Sequence, residues 1–85
     1  MDYVARTPAQ LGPILRSYRT ESGLTQKAAG AKVGLKQSTV STVERDAARA
    51  SVETLYKLLS ALELELVIRE KSGHREPSDT KKREW

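Results

Sequence analysis

The chain has 85 residues, no cysteine, one histidine and a formal net charge of +4. That describes one small domain without a disulfide framework or thiolate zinc site, and with too few imidazoles for a histidine-held metal. No apolar run approaches the ~20 residues that span a bilayer, no secretory leader is evident, and so short a domain seldom encloses a substrate pocket beside its core. The expectation is therefore a cytoplasmic protein without cofactor or metal that is neither enzyme nor membrane protein, cysteine-free as befits a reducing interior.

Charge is unevenly distributed. Residues 1–50 hold 8 basic and 4 acidic residues, 51–70 hold 2 and 4, and 71–85 hold 5 and 3. The first fifty residues are the better surface for a polyanion, although ordinary solubility charge accounts for the same excess.

Residues 1–6 have no apolar period and read as an arm. Thr7-Pro8 is a helix start, with Thr as cap and Pro at the first helical position. Leu11, Ile14, Leu15 and Tyr18 follow the spacing of one helical face. Pro13 lies past the first turn and removes a backbone donor, so the helix either starts late, near Gly12-Pro13, or is distorted there; a distorted first turn is expected. Ser22-Gly23 stops it. Thr25 caps a second helix over Gln26–Val33, with Ala28, Ala29 and Val33 inward. Gly34 stops that helix and Leu35 follows as an apolar plug. A third helix runs from Gln37 to Arg45-Asp46 with Val40 and Val43 inward, and residues 46–50 form a loop.

Ser51 caps a fourth helix whose face is Val52, Leu55, Leu58, Leu59 and Leu62. From Leu62 the period becomes two: Leu62, Leu64, Leu66 and Ile68 alternate with Glu63, Glu65, Val67 and Arg69. That is a strand at about 64–69, against the competing reading of a continued helix, since Leu and Glu are good helix formers. No second strand exists in the sequence to pair with it. The partner expected is the same strand of a second copy, with Leu64, Leu66 and Ile68 as dimerisation residues. Residues 71–85 are almost wholly polar and read as a disordered tail ending in Trp85, the chain's one Trp. His74 lies in that tail and reads as solvated.

The informative stretch is Gly23 to Glu44. Two short helices joined by a Gly-containing turn form the helix-turn-helix unit, whose second helix enters the DNA major groove. On that helix Gln37, Ser38, Ser41 and Thr42 face outward, with Thr39 beside them. Gln can bond adenine at two atoms, and Ser and Thr are small enough for close approach. Lys36 can meet a phosphate, and Gln26 can hold one together with backbone N–H groups. The competing reading is a solvated polar face of a plain helical bundle; most surface helices carry more Glu and Lys than this one.

The run Leu24-Thr25-Gln26, with Gly34-Leu35-Lys36-Gln37-Ser38-Thr39-Val40-Ser41 and Glu44, resembles the lambda-repressor-like (XRE) helix-turn-helix family over roughly residues 10–64. The resemblance implies an all-α four-helix domain, here carrying the added C-terminal strand that pairs across a homodimer. It implies DNA contacts at Gln26, Gln37, Ser38 and Ser41, and a structural pair between Arg19 and Glu44. Lys36 departs from the Ser or Thr cap frequent in the family, and a Lys cannot cap. The Leu62-Glu63-Leu64 end of helix four, the strand and the Glu84-Trp85 ending resemble HipB-type antitoxins more closely. That resemblance implies a dimer that represses its own toxin–antitoxin operon at double-stranded operator DNA. It also implies binding to a HipA-like serine/threonine kinase toxin, for which Trp85 is the expected anchor. The organisation expected is an arm over 1–6, a DNA-binding domain over 7–70 and the tail over 71–85. The alternatives are a stand-alone XRE repressor without a toxin, and a protein-interaction module that does not touch DNA.

Overall fold

The computed structural model describes residues 2–71. Met1 and residues 72–85 lie outside the described residues, and with them all but the first residue of the expected tail, His74 and Trp85. Among the described residues there are four α-helices: α1 (Pro8–Glu21), α2 (Gln26–Ala31), α3 (Gln37–Arg45) and α4 (Val52–Ala61). A 3₁₀ turn, Ala47–Arg49, links α3 to α4.

The helix starts follow local chemistry. Thr25 Oγ1 accepts from the Ala28 N–H at 3.0 Å, and Ser51 Oγ accepts from the Thr54 N–H at 3.0 Å. Each thus satisfies one donor that a helix N-terminus leaves unpaired. At α1 the Gln10 side chain reaches back and accepts from the Arg6 and Thr7 N–H groups at 2.5 and 3.2 Å. Lys36 precedes α3 with no side-chain cap. Pro13 does not delay α1: the helix begins at Pro8 and runs through it. Helix α2 is shorter than the sequence indicates, and Lys32 and Val33 belong to the turn.

Three helix ends repeat one device. After α1 the Leu24 N–H bonds the Arg19 carbonyl at 3.2 Å, after α2 the Leu35 N–H bonds Gly30 at 2.9 Å, and after α4 the Leu64 N–H bonds Leu59 at 2.8 Å. Each leucine follows a residue of positive φ: Gly23 (+76°), Gly34 (+73°) and Glu63 (+58°). This is the six-to-one closure of the Schellman motif, in which the residue after the left-handed one packs back on the helix. Leu24, Leu35 and Leu64 all lie partly buried against the core.

That core is Leu15, Ala29, Val40, Val43, Ala47, Leu58 and Leu62. It joins all four helices, and the expected inward faces of α1 and α3 contribute to it. Two expectations for the C-terminal half change. Val52 is two-thirds exposed and is not part of the buried face of α4. It stands at the first position of its helix, before the helix closes on the core. Helix α4 ends at Ala61, so the continued helix is excluded, but residues 64–71 form no ladder within the single chain. Leu64 turns inward while Leu66, Val67 and Ile68 stay exposed, Ile68 at 92%.

Candidate nucleic-acid interface

Helix α3 is amphipathic by rotation. Side chains step by about 100° per residue, which puts Gln37, Ser38, Ser41, Thr42 and Arg45 on one arc of about 140°. Val40 and Val43 lie on the other side of the helix, Glu44 lies just beyond the Gln37 edge of the arc, and all three are buried. Gln37, Ser38 and Arg45 are exposed, and Ser41 and Thr42 half-exposed. Thr39 falls beyond the edge of this arc and is half-exposed, like Ser41 and Thr42. The Thr42 hydroxyl donates to the Ser38 carbonyl at 3.0 Å, so toward solvent it is left to act as an acceptor. Lys36 is exposed at the entry to the helix. The outward face therefore offers a carboxamide, short hydroxyls and flanking cations, a set that suits base edges and phosphates.

What holds that face outward is polar and buried. Arg19 on α1 and Glu44 on α3 are 8% and 7% exposed. Arg19 Nε donates to Glu44 Oε2 at 2.5 Å and Nη2 to Oε1 at 3.2 Å, the bidentate fork that guanidinium geometry favours. Its Nη1 donates to the Leu24 carbonyl at 2.8 Å, which also secures the end of α1. No buried side-chain N or O atom among the described residues lacks a partner. The expected Arg19–Glu44 pair is thus present.

Gln26 stands at the start of α2, as the sequence places it, and bonds within the protein as well. It is half-buried, and its Nε2 donates to Glu44 Oε1 at 3.0 Å. The side chain is anchored to α3 rather than free over the start of α2. Arg45 was not singled out by sequence, because a basic residue in a last helical turn already suits the helix dipole. Its signal was rotational: it shares the arc of Gln37 and Ser41, and its Nε donates to the Ser41 carbonyl at 3.4 Å. Leu66 and Ile68, expected at a dimer interface, are exposed in the single chain, whereas Leu64 is committed to its own core. No group of His, Asp and Glu among the described residues could hold a metal, and no helix there is long and apolar enough to cross a membrane.

A helix-turn-helix family profile matches residues 15–68. Antitoxin HipB of Escherichia coli O6:H1, strain CFT073, is 31% identical over 80 residues, covering 93% of this chain and 85% of that protein. The chain belongs to the HipB-type antitoxins of the helix-turn-helix family. Antitoxin HipB of Escherichia coli K12 is 30% identical over 80 residues, covering 93% of this chain and 91% of that relative. The fold agrees: HipB in a solved HipA-HipB-O2-O3 complex superposes with a TM-score of 0.79 at 28% identity, over 84% of this chain and all of that one. Members of this family are DNA-binding regulators of toxin–antitoxin systems, and the expected all-α helix-turn-helix fold and the family resemblance hold, with no strand formed at 64–69 within the single chain.

Proposed function

We propose that the chain is an antitoxin and a sequence-specific repressor. Two copies bind pseudo-palindromic double-stranded operator DNA, each placing α3 in one major groove, with half-sites one helical turn, ~34 Å, or a multiple apart. Gln37 reads a base, Ser38, Ser41 and Thr42 make close contacts to bases or backbone with Thr39 at the margin, and Lys36 and Gln26 meet phosphates. The operator is that of its own toxin–antitoxin operon. The protein partner is a HipA-like serine/threonine kinase, with Trp85 as the anchor. Residues 1–6 act as an arm, 7–70 as the DNA-binding and dimerisation domain and 71–85 as the tail that reaches the kinase. The protein works in the cytoplasm, on the nucleoid when DNA-bound, without cofactor or catalytic activity.

One observation carries this reading: in a chain 31% identical to an antitoxin HipB, the exposed arc of α3 carries short uncharged polar side chains and Arg45, with Lys36 at its entry. The HipA-HipB-O2-O3 complex supports it, because that HipB assembles with DNA and HipA. The test is a pull-down from the native cell with the full chain and with one ending at Glu84, beside a gel shift on DNA upstream of its own coding sequence. The proposal expects capture of a kinase that is lost without Trp85, and a shift with both chains. A shift without kinase capture leaves a stand-alone repressor. No shift on any duplex, insensitive to salt, leaves a protein-interaction module.

A further inference from the structure

The buried ion pair does more than brace two helices. Glu44 Oε1 receives two donors at once, Arg19 Nη2 at 3.2 Å and Gln26 Nε2 at 3.0 Å. The first comes from α1 and the second from the first residue of α2, so one carboxylate oxygen ties the start of α2 to the last turn of α3. A carboxylate only accepts, so the amide nitrogen of Gln26, and not its oxygen, must face inward. A free Gln side chain turns its oxygen and nitrogen freely, and a phosphate oxygen, an acceptor, is met only by the nitrogen. The contact removes that ambiguity and leaves one N–H of Gln26 for a second acceptor. Gln26 is half-buried, so it reaches both Glu44 and the surface.

We infer that Glu44 is a positioning residue for DNA binding: it sets the Gln26 carboxamide so that its remaining N–H meets a backbone phosphate. The inference rests on the proposed DNA-binding function. Its sign separates it from simple electrostatics. Removing a carboxylate from a DNA-binding surface raises affinity for all duplexes, because less negative charge opposes the phosphates. Loss of positioning lowers it.

The experiment measures affinity by fluorescence anisotropy on a duplex from upstream of the coding sequence and on a scrambled duplex. It compares the full chain with Gln26→Ala, Glu44→Gln, the double variant and Leu58→Val, at a temperature where circular dichroism shows each folded. Gln26→Ala should weaken both duplexes by roughly tenfold, the scale of one hydrogen bond to a charged group. Glu44→Gln leaves one acceptor oxygen for the Arg19 fork and Gln26 together, so it should weaken both duplexes, and adding Gln26→Ala to it should change less than it does in the unaltered chain. Leu58→Val lowers stability away from this site and should leave affinity unchanged. Equal effects of Gln26→Ala in both backgrounds, tighter binding by Glu44→Gln, or an equal loss with Leu58→Val would each overturn the inference. Should Glu44→Gln not fold, the Gln26 side-chain NH₂ signals of the wild-type chain decide. One proton should be shifted and protected in the free protein and the other shifted by duplex; two averaging protons refute it. If the unaltered chain binds neither duplex, the DNA-binding proposal itself has failed, a result distinct from loss of coupling.

Discussion

At the scale of single residues, polar side chains in this protein divide by what they already bond. Arg19 and Glu44 are almost fully consumed by each other, Leu24 and Gln26. Thr42 has spent its donor on Ser38. Gln37 has no such commitment among the bonds of α3 and is exposed, with both a donor and an acceptor to offer. Gln37→Ala should therefore cost roughly 1–3 kcal/mol on the operator and relax discrimination at one base position. Competition binding with operators altered one base pair at a time checks this; equal losses on operator and scrambled DNA would reduce Gln37 to a phosphate contact. Lys36→Ala should act differently, weakening all duplexes and flattening the dependence of log affinity on log salt by about one unit.

At the scale of elements, neighbouring positions of α1 respond oppositely to the same substitution. Gly12 is buried where α1 crosses the end of α3, and a methyl group there would collide with the Glu44 carbonyl. Alanine favours helix over glycine by about 1 kcal/mol, but forced overpacking costs about 1–3 kcal/mol, so Gly12→Ala should destabilise on balance. Pro13 is exposed in the interior of the same helix and lacks the N–H that would bond residue 9. Pro13→Ala adds that bond without losing buried contact, and should raise stability by about 1–3 kcal/mol. Thermal unfolding of both variants tests the pair of signs, with each kcal/mol worth roughly 4–8 °C in a domain of this size. The end of α4 offers a third case. Glu63 holds the left-handed position that glycine holds at the other two leucine closures. A side chain there costs about 1–2 kcal/mol, and glycine loses up to about 1 kcal/mol more chain entropy on folding. Glu63→Gly should thus be neutral to stabilising by about 1 kcal/mol, read from the urea midpoint; clear destabilisation would mean that Glu63 makes a contact worth more than its strain.

At the scale of the whole molecule, the core cluster among the described residues holds seven buried apolar side chains, none larger than Leu. A core this small leaves a domain marginal unless something is added. The exposed run Leu66-Val67-Ile68 lies directly after the α4 closure, where the period-two pattern stands in the sequence. If that run pairs across a dimer axis, stability becomes concentration-dependent. The melting temperature of the full chain should rise with protein concentration. Ile68→Lys should give a monomer by sedimentation, with a lower, concentration-independent melting temperature and weaker binding to a two-half-site operator. A dimer undisturbed by Ile68→Lys would place the interface elsewhere.

Much of the architecture was legible in the chain because its signals are local. Caps at Thr25 and Ser51, glycine stops at 23 and 34, and the outward polar arc of α3 depend on residues of one helix and its immediate flanks, so composition and spacing suffice. The Arg19–Glu44 pair came instead from a family resemblance, since nothing local links residues 25 positions apart. Other features depended on which helix arrived opposite. The continuity of α1 through Pro13, the necessity of Gly12, the exposure of Val52, the inward turn of Leu64 and the capture of Gln26 by Glu44 are decided by packing between elements. Sequence determined where helices start, stop and turn their apolar sides. Tertiary structure decided which polar groups remain free to bind, because a donor or acceptor is used up only when a distant partner is brought within hydrogen-bonding distance.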